Sequence, residues 1–449
     1  MVLSLPPAHD TVVATLGACL LPSPLLTTGQ RFVDDSHRVL LSADSRDLPP
    51  FTASGQIPPA FEVAGPRSQL FFDPATVTCG IVTCGGICPG VNDVIRSLVL
   101  TLTHAYGVRQ ILGFRYGYAG LVSQSDFPPL HLTPAVVDTI HQQGGTLLGT
   151  SRGPQDIGQM VDTLVREHVG ILFTIGGDGT LHGAIALSQE IQRRHLAISI
   201  IAIPKTIDND LTWVEQSFGF ATAVEAATAA IQAAHTEARG AWNGIGLVKL
   251  MGRHSGFIAA HASLANSDVN FCLVPESPFL LAGERGFLPA LAQRLAHRHH
   301  AVIVVAEGAG QAILQEPAHQ ERDASGNLRL KDIGVFLRDE ITRYFSAQST
   351  EITLKYIDPS YLVRGVSANA FDSQFCLMLG QHAVHAGMAG RTAMLIGYWH
   401  QQFTHVPLPL AVARRKQLDP RGTAWQSVLQ ATGQATWMAD RERINEEEQ

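Results

Sequence analysis

The chain has 449 residues, of which 45% are hydrophobic, 7% aromatic and 16% charged, which excludes a disordered or fibrous protein and gives enough apolar content for more than one buried core. Net charge is −7, from 32 Lys+Arg against 39 Asp+Glu, so no general attraction to nucleic acid or an anionic membrane is expected and any anionic ligand must be held locally. No stretch approaches the roughly 20 apolar residues that cross a bilayer, and the sequence reads as a soluble, cytoplasmic protein without a membrane partner.

Residues 1–74 are rich in proline and polar side chains with weak periodicity, which predicts an extended segment lying on or beside the main body. The apolar run from Leu16 to Leu26 contains Pro22 and Pro24 and has no basic lead-in, unlike a targeting peptide. The six cysteines are scattered, and Cys79, Cys84 and Cys88 form no CxxC pair, so reduced thiols are expected rather than a disulfide framework or a zinc site.

From Ala75 the texture changes to short apolar runs ending in glycine, alternating with amphipathic helical patterns, the grammar of βαβ units and a parallel sheet. Val77 to Thr83 is a buried-strand candidate, Gly85 to Gly90 a turn, and Val91, Val94, Ile95, Leu98 and Val99 recur at helical spacing. Gly170 to Ile175 and Leu196 to Ile203 repeat the strand pattern, followed by Ile245 to Leu250, Asn270 to Val274 and Ala301 to Ala306. His297 to His300 close a helical pattern, where cations suit the carboxyl end of a helix. The polar stretch from about Ala309 to Asn327 reads as a surface loop. The fold class is α/β, with two Rossmann-like three-layer αβα lobes, mainly parallel sheets and an N-terminal extension. Its expected boundaries are 1–74, 75–215 completed by C-terminal segments, 216–400 and 401–449.

Three motifs sit after strands, where open α/β sheets bind ligands. Thr83-Cys84-Gly85-Gly86-Ile87-Cys88-Pro89-Gly90 leads into a helix, so its bare backbone can bring N–H groups to a phosphate; a tight turn alone would also explain it. Gly176-Gly177-Asp178-Gly179-Thr180 adds one carboxylate between glycines, enough to reach a magnesium ion that keeps waters and nucleotide phosphates as its other ligands. The same string occurs in NAD and lipid kinases. Pro204-Lys205-Thr206-Ile207-Asp208-Asn209-Asp210 places two carboxylates at i and i+2. If that segment is extended, they share a side, and one could accept a hydroxyl proton while the other supports metal.

Together these strings resemble the phosphofructokinase family. The likeness continues through Ser217-Phe218-Gly219-Phe220, Leu250 to Phe257 (LMGRHSGF), Pro275-Glu276 and Leu354 to Tyr361 (LKYIDPSY), covering about residues 65 to 400. It favours the branch shared by plant ATP-dependent enzymes and pyrophosphate-using relatives, which Gly65-Pro66-Arg67 also resembles. The resemblance implies a donor lobe at 75–215, a sugar-phosphate lobe at 216–400, and transfer of the ATP γ-phosphoryl group to the 1-hydroxyl of fructose 6-phosphate. It implies that Gly86, Tyr118, Arg152, Gly177, Asp178, Gly179, Thr180 and Lys205 surround ATP, with Mg2+ at Asp178 and Arg152 stabilising the transferring group. It further implies Asp208 as general base, Thr206 and Asp210 as its positioning partners, and Met251, Gly252, Arg253, Glu307, Lys355, Tyr361 and Arg364 as sugar-phosphate contacts. A homo-oligomer, dimer or tetramer, is expected on the same ground.

Two departures bear on the donor. Lys205 is shared with pyrophosphate users, whereas Gly179 stands where those enzymes generally carry a second aspartate that would repel a nucleotide α-phosphate; Gly179 therefore favours ATP. Gly244 falls where many bacterial members place a sugar-phosphate arginine that acts across a subunit interface, so that contact is lost or supplied elsewhere.

Overall fold

A computed structural model of the chain describes residues 5–47, 49–122, 126–314 and 330–435. They group into two compact units. The first takes the described residues up to Ile207, with Leu211–Gly219 and Gly365–Arg415; the second takes Asp208–Asp210, Phe220–Arg364 and those from Lys416 on. Strands from residues before 74 and after 390 complete the first unit's sheet.

That sheet has nine strands, in the order Arg38–Leu40, Ala60–Val63, Gln402–Pro407, Met394–Trp399, Ser199–Pro204, Val169–Gly176, Thr78–Thr83, Gln110–Phe114 and Leu130–His131. The five strands from Met394–Trp399 to Gln110–Phe114 are mutually parallel, and antiparallel strands flank them. Val169–Gly176 and Ser199–Pro204 are buried almost throughout, which is why they read as unbroken apolar runs rather than alternating ones. The helix Val91–Leu100 buries Val91, Val94, Ile95, Leu98 and Val99, the stripe its spacing predicts.

The second unit has a four-stranded, wholly parallel sheet in the order Phe271–Leu273, His300–Ala306, Gly244–Leu250 and Thr353–Ile357. The helix Phe287–Arg298 ends at His299, whose φ of 57° is left-handed. The loop expected from Ala309 to Asn327 lies mostly outside the described residues, as does the end of the 401–449 segment.

Residues from the N-terminal segment do more than drape over the first unit. Glu62 Oε1 accepts from Arg67 Nη2 at 2.6 Å and Arg391 Nη2 at 2.7 Å, while Asp35 Oδ1 accepts from Arg67 Nε and Arg391 Nη2, each at 2.6 Å. Both arginines are buried, and a buried charge persists only where it is paired this closely. Arg391 thus ties the N-terminal segment to the rest of the first unit, and Arg67 of the Gly-Pro-Arg string shares the same two carboxylates.

Candidate functional site

In the first unit, three loops at the carboxyl ends of adjacent parallel strands are stitched together. Thr83 Oγ1 donates to Gly149 O at 2.6 Å, Gly85 N to Ser151 O at 3.1 Å, and Thr150 Oγ1 to Gly85 O at 2.5 Å. These bonds bring exposed Arg152 beside the glycine loop, although 65 or more residues separate them in sequence. Lys205 N donates to Gly176 O at 3.0 Å, and buried Lys205 Nζ donates to Gly86 O at 2.6 Å. Gly86 and Gly176 are thus both bonded to Lys205, with Gly177 and Asp178 next in the chain and Arg152 one residue beyond the bonded Ser151.

Asp178 is the first residue of the helix Asp178–Arg193, capped by Gly177. A helix start carries unpaired N–H groups and favours an anion. Gly176 has no room for a side chain, since a Cβ there would lie 2.1 Å from Thr180 Oγ1. Gly179 is different: it is exposed, and a Cβ there meets nothing within 4 Å. The absent side chain leaves space, not packing, at that position.

Tyr118 does not present a ring to this loop. It is buried in the first unit's core, where its hydroxyl donates to Thr180 O at 2.9 Å. It braces the first turn of the Asp178 helix from beneath, so the expectation that it flanks a nucleotide is replaced by a packing role. Its neighbour Tyr116 is the more exposed ring and lies under the Arg115 guanidinium.

Sequence reasoning missed Arg415. Its Nη2 lies 2.9 Å from Asp178 Oδ2, and its backbone pairs with Leu211. The signal, a basic Arg414-Arg415-Lys416 run, was present but carried no spacing rule that tied it to Asp178. Among the described residues no group of three His, Cys, Asp or Glu side chains could enclose a metal ion. The one half-exposed carboxylate of Asp178 fits magnesium that is held chiefly by phosphate oxygens and water.

The PKTIDND segment is not extended. It turns at Ile207 and Asp208, and Asn209 is left-handed with φ 52°, so strand alternation does not place Asp208 and Asp210 on one side. The two carboxylates differ in setting: Asp210 is buried and Asp208 only partly so. The compact-unit division also falls inside this motif, with Thr206 in the first unit and Asp208 to Asp210 in the second. In its own unit, Thr206 O accepts from Ser217 Oγ at 2.5 Å. In the second, Asp208 O accepts from Ser255 Oγ at 3.0 Å and Asp210 O from Lys416 N at 2.8 Å.

Met251, Gly252, Arg253 and Glu307 follow directly on Gly244–Leu250 and His300–Ala306, whose last residues Leu250 and Ala306 are in register. Gly252 has φ 131°, a Cβ there would lie 2.4 Å from Ser255 O, and Gly308 N donates to Gly252 O at 3.1 Å. A Cβ on Gly308 would lie 2.0 Å from Arg253 O. Two glycines thus let the Met251-Gly252-Arg253 turn nest against the Glu307 turn. Burial pushes the Glu307 carboxyl up, and the charges of Arg253, Lys249 and Arg364 oppose that. Arg364 Nε is shielded from solvent and has no hydrogen-bond partner among the described residues, while its guanidinium lies 5.0 Å from the exposed Tyr361 ring. A shielded, unsatisfied guanidinium donor suits an anionic group supplied by a ligand.

Lys355 is exposed in the middle of the edge strand Thr353–Ile357, in register with Gly246. Half-buried Glu276 accepts from Gly256 N at 3.0 Å and Leu418 N at 2.8 Å. It fixes the start of the helix Phe257–Ala265 that follows Arg253. At Gly244 a Cβ would lie 2.0 Å from Ala238 O, so a larger residue would need the backbone to move.

The phosphofructokinase family model matches residues 78–387. The chain is 47% identical over 436 residues to the ATP-dependent 6-phosphofructokinase of Borreliella burgdorferi, covering 95% of this chain and 97% of the relative. It is 46% identical over 450 residues to that of Amycolatopsis methanolica, with coverage of 97% and 98%, and 45% over 415 residues to that of Trypanosoma brucei brucei, with coverage of 92% and 84%. Its structure resembles the pyrophosphate-dependent phosphofructokinase from Marinobacter aquaeolei with a TM-score of 0.65 at 20% identity, covering 81% of this chain and 92% of that one. That identity speaks to the fold alone.

Proposed function

Because the chain belongs to the phosphofructokinase family, we propose that it is an ATP-dependent 6-phosphofructokinase, the kinase of glycolysis that converts fructose 6-phosphate and ATP to fructose 1,6-bisphosphate and ADP. The observation that carries the donor choice is Gly179. It leaves the helix that starts at Asp178 with one carboxylate and open space, in keeping with the ATP-dependent names of relatives 43–47% identical.

In this reading Asp208 removes the proton from the sugar 1-hydroxyl, while Thr206 and Asp210 hold the loop that presents it. Gly86, Gly177, Thr180 and the helix start at Asp178 receive the donor phosphates, and Arg152 meets the charge that develops on the transferring group. Asp178 would hold magnesium, which when bound neutralises phosphate oxygens. Lys205, tied to Gly86 O, keeps the glycine loop closed beneath them. Arg253 and Arg364 receive the 6-phosphate through guanidinium forks, Glu307 a sugar hydroxyl, and Met251, Gly252, Lys355 and Tyr361 complete the set. A cytoplasmic homo-oligomer, dimer or tetramer, belongs to the same proposal.

Pyrophosphate is the second donor to consider, since Lys205 is shared with pyrophosphate users. Coupled turnover of fructose 6-phosphate with ATP or with pyrophosphate decides between them: turnover with ATP is expected, and turnover with pyrophosphate alone would overturn the donor assignment.

The Arg415 contact gives a further expectation. A guanidinium and a divalent ion compete for Asp178 Oδ2, so Arg415→Ala should reach half-maximal ATP turnover at a lower free magnesium concentration, by about threefold. The pair is partly exposed, so its loss should cost no more than about 1 kcal/mol in urea denaturation.

A further inference from the structure

Lys249 belongs to none of the ligand sets above, yet it sits buried at the end of the central strand of the second unit, two residues before Met251. Its Nζ lies 2.9 Å from Asp332 Oδ2 and 2.8 Å from Asp358 Oδ2. Asp332 is the N-cap of the helix Ile333–Ala347, where its Oδ1 accepts from Gly334 N at 3.0 Å and Val335 N at 3.1 Å. Asp358 opens the segment that carries Tyr361 and Arg364, and its Oδ1 accepts from Ser360 N at 3.1 Å. One cation therefore ties three pieces of chain together: the strand that delivers Arg253, the helix cap and the turn that delivers Arg364.

We propose that Lys249 is a positioning residue for fructose 6-phosphate, holding the Asp358–Arg364 turn in register with the Met251-Gly252-Arg253 turn. The inference rests on the phosphofructokinase reading and assigns a role within its sugar-phosphate site.

Stability alone does not account for this residue. A lysine buried on a strand must overcome its own desolvation, and apolar replacements of buried ion pairs are often neutral or stabilising. What an apolar residue could not supply is a link to two carboxylates at once. Without Lys249, Asp332 and Asp358 would lose the cation they share, and the turn would lose its link to the strand. The same turn buries Val363 fully, and Val363 N donates to Pro359 O at 3.1 Å. With the Asp358 end released, Arg364 and Tyr361 would swing about that point. The donor residues lie on other strands and carry no part of this link.

The test uses the purified full chain with Lys249→Met, Lys249→Arg, Asp358→Asn and the Lys249→Met/Asp358→Asn double variant. Expected is a rise of roughly tenfold or more in KM for fructose 6-phosphate in Lys249→Met, with KM for ATP and kcat within about threefold of the parent. Lys249→Arg should recover part of that loss. Because both side chains act through one link, the double variant should be within about twofold of the worse single variant. Thermal denaturation checks that each variant is folded. If Lys249→Met does not fold, Asp358→Asn, at a side chain more exposed than Lys249, carries the same expectation. An unchanged KM for fructose 6-phosphate in a folded Lys249→Met or Asp358→Asn chain, equal rises for both substrates, or multiplying effects in the double variant would each overturn the proposal. A parent chain that never phosphorylates fructose 6-phosphate would overturn the phosphofructokinase reading instead, so the two failures are distinct.

Discussion

Replacing Asp208 by asparagine is expected to lower kcat by about 10²- to 10⁴-fold, the range for loss of a general base, while KM for fructose 6-phosphate changes only a few-fold. Asparagine keeps the size of the side chain and its backbone setting, including the 3.0 Å bond from Ser255 Oγ to Asp208 O, so the fold should survive. What it removes is the capacity to take up the hydroxyl proton as the phosphoryl group arrives. Steady-state kinetics with both substrates saturating measure the effect. A near-normal kcat in a folded variant would remove Asp208 from that role, and attention would pass to Asp210, whose burial makes it the poorer base for an incoming sugar.

Replacing Gly179 by aspartate should fold normally and lose ATP turnover. A Cβ at Gly179 meets nothing within 4 Å, and its φ is not in the left-handed range, so neither space nor backbone strain opposes the new side chain. Its charge does oppose the donor. Two like charges about 6 Å apart at an effective dielectric near 20 repel by about 2.8 kcal/mol, and exposure at this position screens part of that. The expected fall in kcat/KM for ATP is therefore about ten- to a hundredfold, while KM for fructose 6-phosphate should hold steady. Kinetics with ATP and with pyrophosphate, side by side, separate a donor effect from general damage. Equal ATP activity in the variant would mean that Gly179 does not read the donor.

Tyr118 and Lys205 illustrate how far a motif can be read without coordinates. Both stood in the right strings, yet Tyr118 turned out to brace the helix at Thr180 from within the core, and Lys205 to clamp the glycine loop through Gly86 O. A motif names a residue's neighbourhood; whether a side chain points to a ligand or into the protein depends on packing from segments far away in sequence. Asp208 and Asp210 make the same point, because the left-handed Asn209 undoes the alternation on which their pairing was argued.

By itself the sequence determined the βαβ grammar, the buried parallel strands and the strings from Gly85 to Tyr361 that mark the family. Those signals are local: an unbroken apolar run needs no partner to be recognised, and a glycine loop after a strand carries its meaning in a few adjacent residues. Tertiary structure alone decided the contacts between distant segments. It drew residues near both chain ends into the first unit's sheet, joined Arg67 to Arg391 through Glu62 and Asp35, set Arg415 on Asp178, and ran Lys249 to Asp332 and Asp358. Such pairings depend on charge and geometry across tens to hundreds of residues, for which no periodicity exists in the chain, and they are satisfied only when the backbone has already brought the partners within hydrogen-bond reach.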